Sequence, residues 1–200
     1  IKAGNVGFSG ATGAVLDRSL IGLRSLVDRA LAEVRVTAGI PARHELLSLA
    51  DFIAEVKISA SLEAQARDCE FTVSSIDSGL AVDADRDLLL SAFGNLLQNA
   101  FKITHPNTEV ALNAYASGDR ILIDVCDNCG GLPPGFAEQL FPPFRQVGAD
   151  KSGLGLGLSI CQRAVDANNG FLSVRNVPGS GCIFTISLPR HRLSTADLPA

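Results

Sequence analysis

Two hairpin patterns in the second half of the chain constrain its fold more than any other feature. Residues 108–116 and 120–127 read as strands around Ser117-Gly118-Asp119. Residues 171–177 and 182–188 read the same way around Pro178-Gly179-Ser180-Gly181. Short Gly-containing turns between such runs join antiparallel neighbours. A sheet built this way needs cover, and helical segments are at hand. Residues 85–104 place Leu89, Ala92, Phe93, Leu96 and Ala100 on one face, the spacing of an amphipathic helix. Residues 51–67 and 157–168 also read as helices, the second stopped by Asn169-Gly170. Shorter strands are expected at 44–49, 70–76 and 81–82, with a turn at Asp77-Ser78-Gly79. The expected class is α+β: a two-layer α/β sandwich in which one mixed sheet is covered by helices on one face.

The N-terminal part differs. Residues 1–10 are Gly-rich and read as a loop. Leu16, Leu20, Leu23, Val27, Ala30 and Val34 are then spaced 4, 3, 4, 3, 4, an a/d seam. Gly39-Ile40-Pro41 ends it. Two readings fit this seam: a helix packed on its own domain, or a long bundle or dimerisation helix. The expected organisation is therefore 1–39 as an appendage, 40–190 as a domain and 191–200 as a tail.

Composition excludes several classes. The chain has 200 residues, 46% hydrophobic and 19% charged, which is globular rather than disordered. Lys plus Arg is 17 and Asp plus Glu 21, a net charge of −4, so no nucleic-acid footprint is expected. No apolar run reaches about 18 residues, so this stretch is expected to make no membrane contact. An odd number of cysteines, five, without framework spacing points to a reducing, cytoplasmic setting. The start at Ile1 and the lack of Met lead us to expect a piece of a longer protein, whose own membrane attachment stays open.

Three groups of residues can carry chemistry. Asn95, Asn99 and Lys102 stand at i, i+4 and i+7 on one helix face. Asn is a poor mid-helix residue, so two in register suggest amide ligands for a hard cation beside a phosphate-neutralising lysine, or else a solvated polar stripe. Asp127 ends a strand and precedes Asn128-Cys129-Gly130-Gly131. A carboxylate there can accept from a ligand amine, and the glycines admit close approach. Gly153-Leu154-Gly155-Leu156-Gly157-Leu158 opens a helix, where exposed N–H groups suit phosphate. It is neither the dinucleotide fingerprint nor a Walker loop.

Taken in order, these motifs resemble the catalytic ATP-binding domain of two-component sensor histidine kinases, members of the ATPase superfamily shared with gyrase, heat-shock chaperones and mismatch-repair proteins. Residues 95–104 (NLLQNAFKIT) look like the N box and 127–133 (DNCGGLP) like the G1 box. Phe141-Pro142-Pro143-Phe144 looks like the F box, 153–158 like G2, and 179–184 (GSGCIF) like the last glycine box. The resemblance covers roughly residues 44–190.

The resemblance implies ATP and Mg²⁺ as cofactors. Asn99 would coordinate Mg²⁺ and, with Lys102, carry the catalytic role, while Asn95 and Lys102 would contact phosphates. Asp127 would accept from the adenine amine, and Gly131 would let the purine pack closely. Gly153, Gly155 and Gly157 would form the phosphate nest and hinge of a lid spanning 136–152. Phe144, Leu154, Leu156 and Thr185 complete the expected cofactor-binding set. Residues 12–38 look like the second helix of a dimerisation hairpin, which implies a homodimer in the full-length protein and a phosphoacceptor His before Ile1. The implied reaction is transfer of the ATP γ-phosphate to that histidine, then to a response regulator or phosphotransfer protein. Alternatives are an anti-sigma-type serine kinase, disfavoured by the heptad helix, and a nucleotide-binding regulatory module without transfer activity.

Two departures stand out. Cys129 replaces the first Gly of the G1 box and creates Cys126-x-x-Cys129. A zinc site wants a second pair, absent nearby in sequence, and a redox pair sits at a helix start. The expectation is two small, partly buried residues. His44-Glu45 superficially resembles an H box but falls after the second helix and is not expected to be the acceptor.

Overall fold

The computed structural model describes residues 27, 31, 34, 35, 38, 41–133, 135, 136, 140, 141 and 156–192. Most of the heptad segment and residues 193–200 lie outside them. In this segment Val27 and Val34 of the seam, and Leu31 and Arg35 beside it, are helical, and the three apolar ones are exposed.

The elements run β1 (Glu45–Ser48), α1 (Leu49–Ala66), β2 (Glu70–Val73), β3 (Leu80–Ala84), α2 (Arg86–Ile103), β4 (Glu109–Ser117), β5 (Arg120–Cys126), α3 (Gly157–Ala167), β6 (Phe171–Val177), β7 (Gly181–Pro189) and β8 (His191–Arg192). Five strands form one sheet in the order β2-β4-β5-β7-β6. The β2–β4 pair is parallel and the rest are antiparallel, so the sheet is mixed. The α+β class holds, with one correction: the short strands do not all join one sheet. After the turn in which Leu80 N donates to Asp77 O, β3 pairs with β1 and β8 instead, a separate three-stranded sheet. A second correction concerns the C-terminal end. The expected tail from residue 191 begins as a strand: His191 and Arg192 pair with Ala81 and Leu80, satisfying the outer backbone edge of β3.

Strand alternation decides what the helices cover. Ile121, Ile123 and Val125 of β5 and Phe184, Ile186 and Leu188 of β7 are buried, whereas Leu122, Asp124, Cys126, Ile183 and Thr185 between them are half-buried on the other face. Against the buried face α2 packs Leu89, Phe93, Leu96 and Ala100, and α3 packs Cys161, Ala164 and Val165. Edge-on ring contacts join Phe52 to Phe93 at 5.6 Å and Phe71 to Phe101 at 5.4 Å. Phe93, fully buried among them, contributes about 1.5–3 kcal/mol.

The start of α2 is fixed by Asp85, only 2% exposed. Its Oδ1 accepts from Leu88 N at 3.1 Å, a capping bond. Its Oδ2 accepts from Arg43 N at 2.8 Å and Arg35 Nη2 at 2.6 Å. Asp85 N donates to Asn168 Oδ1 at 2.6 Å, and Asn168 Nδ2 donates to Ala164 O at 2.8 Å. Burial alone would raise the Asp85 carboxyl, but the donors from Arg43, Leu88 and Arg35 together hold it below its ordinary value. No helix among the described residues is long and apolar enough to cross a membrane.

Candidate functional site

Asp127 follows β5 directly and continues the alternation of Ile121, Ile123 and Val125, so it turns toward the helical layer. Its backbone extends the ladder to β7, with Asp127 N donating to Cys182 O at 2.9 Å. The carboxylate is 5% exposed. Oδ1 accepts from Cys129 N at 3.1 Å and Cys182 N at 3.0 Å. Oδ2 is buried and has no hydrogen-bond partner among the described residues. A buried acceptor left so costs about 1–3 kcal/mol, which a ligand donor can recover.

Glycines bring the surrounding backbone against this carboxylate. A Cβ at Gly181 would overlap the Asp127 carbonyl oxygen and stand 2.9 Å from Oδ1. Gly131 has φ +92°, and a Cβ there would lie 3.1–3.3 Å from Asn176 Oδ1, Val177 O and Pro178 Cα. Both its conformation and its space call for glycine. The loop after β5 is tied on several sides. Asn176 Nδ2 donates to Leu132 O at 2.9 Å and Asn176 Oδ1 accepts from Leu132 N at 2.8 Å. Gly130 N donates to Ser180 O and Gly179 N to Gly130 O. Thr104 Oγ1, at the end of α2, accepts from Asn128 N at 3.2 Å.

The polar face of α2 lies on the same side of the sheet. Asn95 is buried, its Nδ2 donating to Ser91 O at 2.9 Å. That bond turns Oδ1 toward the start of α3, where a Cβ on Gly157 would stand 3.5 Å away. Leu156, the cap of α3, offers no side-chain bond, so the first-turn N–H groups keep their capacity for an anion. Asn99 and Lys102 are half-buried one and two turns along α2. Neutral amide oxygens suit a hard dication that keeps its charge for phosphate oxygens, so the residues present fit Mg²⁺ bound with a polyphosphate.

The structure thus sets Asn95 against Gly157 at the start of α3, with Asn99 and Lys102 further along α2, and sets Asp127 in the Gly130-Gly131 turn, which Thr104 ties to the end of α2. Phe144, Gly153, Leu154 and Gly155 lie outside the described residues. Thr185 belongs elsewhere: its Oγ1 donates to Asp124 Oδ1 at 2.6 Å on the opposite sheet face. Alternation along β7 sends Cys182 and Phe184 toward the helices and Thr185 away, so Cys182 is the residue beside Asp127. Sequence reasoning missed Cys182, Gly181, Asn176 and Thr104 as builders of this end, although 179–184 carried a legible glycine signal. The Cys126-x-x-Cys129 spacing also misleads. Cys126 sits on the outer face, while Cys129 Sγ lies 3.9 Å from Cys182 Sγ. Burial pushes the Cys182 thiol up to about 12 and raises that of Cys129.

This arrangement has close counterparts. The alginate biosynthesis sensor protein KinB of Pseudomonas aeruginosa is 39% identical over 105 residues, 52% of this chain and 18% of that protein. The sensor histidine kinase ZraS of Salmonella typhimurium is 31% identical over 146 residues, 72% of this chain and 31% of that protein. The chain therefore spans less than a third of either relative. Full-length ShkA in complex with AMPPNP superposes with a TM-score of 0.71 at 26% identity, over 98% of this chain and 41% of that one. Residues 84–192 match the family of histidine kinase-, DNA gyrase B- and HSP90-like ATPases. With more than half of its length matched, the chain belongs to that family and carries its ATP-binding catalytic domain.

Proposed function

We propose that the chain is the catalytic part of a sensor histidine kinase, transferring the γ-phosphoryl group of ATP to a histidine on another segment and then to a response-regulator aspartate, with a response regulator or phosphotransfer protein as partner. The observation that carries this reading is Asp127 Oδ2, a buried acceptor with no hydrogen-bond partner among the described residues. The adenine exocyclic amine is a donor of the right kind, whereas the keto group of guanine presents a second acceptor. Gly131 leaves room for the purine ring. Asn95, Lys102 and the first turn of α3 would hold phosphate oxygens, and Asn99 would hold Mg²⁺. The metal supplies charge neutralisation at the phosphate oxygens. The family resemblance assigns Gly153, Gly155 and Gly157 to a phosphate nest, and Leu154, Leu156 and Phe144 to the same cofactor-binding set. Thr185, bonded to Asp124, leaves the set.

In this reading residues 40–190 are the nucleotide unit and 1–39 part of a dimerisation hairpin, its loop and, over 12–38, its second helix. Exposed Val27, Leu31 and Val34 support a homodimer through that helix. The setting is cytoplasmic. The acceptor is none of the three histidines here: His44 Nε2 lies 3.2 Å from Ala167 O, and His191 pairs in β8.

Calorimetry tests the reading. ADP and ATP should bind, more tightly with Mg²⁺, and GDP should not. Absence of adenine-nucleotide binding under both conditions overturns it. Labelled γ-phosphate should not accumulate on His44, His105 or His191, and stable label on any of them refutes the acceptor assignment.

A further inference from the structure

We propose that Asp127, Cys129 and Cys182 form a binding site for a thiophilic dication, with Zn²⁺ the best-fitting ion, inside the purine end of the pocket. Their ligand atoms, one carboxylate oxygen and two sulfurs, all lie within 4.8 Å of one another. Tetrahedral zinc with Zn–S bonds of about 2.3 Å requires sulfurs about 3.8 Å apart. The two Sγ atoms stand 3.9 Å apart before any metal is bound. The frame is also preset, because Cys129 N and Cys182 N both donate to the same Oδ1. Asp127 Oδ2 remains the buried oxygen with no donor.

Ligand chemistry selects the ion. Two sulfurs favour zinc over magnesium or calcium, which prefer all-oxygen shells. The site is therefore distinct from Asn99, whose amide suits the hard cation. On binding, each thiol releases its proton to the buffer and the metal takes the two thiolates. Three protein ligands leave the fourth position open. One consequence rests on the nucleotide reading given above. Asp127 cannot ligate zinc and accept from adenine through the same oxygen, so metal and nucleotide should exclude each other. A disulfide is the rival use of the pair. It would require the sulfurs to close to about 2.05 Å, against a backbone that Asp127 Oδ1 holds at both cysteines.

The test uses the full chain, reduced and stripped of metal. Zn²⁺ is titrated against a chromophoric chelator, with Co²⁺ as the spectroscopic probe of thiolate ligation. We expect one ion per chain and a sulfur-to-cobalt charge-transfer band. Cys129→Ala should lower Zn²⁺ affinity at least about tenfold and weaken the band. Cys182→Ala, checked by circular dichroism for folding, should do the same. Unchanged zinc affinity in Cys129→Ala overturns the site, as does loss of both free thiols to a disulfide in place of metal uptake. ADP without Mg²⁺ should displace the zinc, and its failure to do so while both bind overturns the exclusion. ADP binding to the metal-free protein separates the two claims. If ADP binds and zinc does not, only this inference falls. If zinc binds and ADP does not, only the nucleotide reading falls.

Discussion

Two buried aspartates organise opposite ends of this domain, and they are used differently. Asp85 has both oxygens occupied, by the amides of Leu88 and Arg43 and by the Arg35 guanidinium. Asp127 has one oxygen occupied twice and the other not at all. A carboxylate whose acceptor capacity is consumed internally stabilises the fold. One that keeps a buried lone pair unspent carries a cost that only a ligand offsets. The same side chain thus holds a helix start in one corner and, in the function proposed above, meets the adenine amine in the other.

The contrast can be broken experimentally. The largest effect is expected from Gly181→Ala, which forces a Cβ into the Asp127 carbonyl. Backbone cannot step aside as a rotamer would, so the loss should be at least about 3 kcal/mol, at the upper end for overpacking. Denaturant unfolding should show it, together with loss of ADP binding. Next is Asp85→Ala. It strands two amides and removes a cap, costing about 2–3 kcal/mol of stability, while the folded fraction should bind ADP as before. Asp127→Asn should do the reverse. The amide oxygen can still serve Cys129 N and Cys182 N, but its NH₂ would face the adenine amine, donor against donor. Affinity should fall by about 1–3 kcal/mol, with stability nearly unmoved. Equal losses of stability in these two variants would erase the distinction.

The smallest effect is in acid. The Asp85 carboxyl is lowered in the folded protein relative to about 3.9 unfolded. Its contribution is therefore complete above the unfolded value and is lost as pH falls through the folded one. Asp85→Asn keeps the cap and removes the charge, so its unfolding free energy should vary less with pH in that window. A wild-type acid limb retained in this variant would place the titration elsewhere.

Much of this was legible in one dimension. Asp127 before Gly130-Gly131, and Asn95 with Asn99 at helical spacing, announce themselves because turn chemistry and helix periodicity are local. The hairpins at 117–119 and 178–181 are local too. What escaped was set by register and by distance along the chain. Thr185 and Cys182 lie three residues apart, and only the pleat tells which of them faces Asp127. Cys126-x-x-Cys129 draws the eye to a pair that alternation separates, while the thiol that meets Cys129 lies 53 residues on. Nothing near Ala81 signals that His191 will complete its sheet.

The bond from Asp85 N to Asn168 Oδ1 joins residues 83 apart, and it bears on the birth of the protein. At synthesis rates of about 5–20 residues per second, Asp85 leaves the ribosome roughly 4–17 s before Asn168. Throughout that interval the amide that begins α2 has only water to meet. The late helix α3 closes the corner that the early helix α2 opens. The nascent domain therefore cannot mature from its N-terminal side forward. The amide at the start of α2 finds its partner only when the last third of the chain arrives.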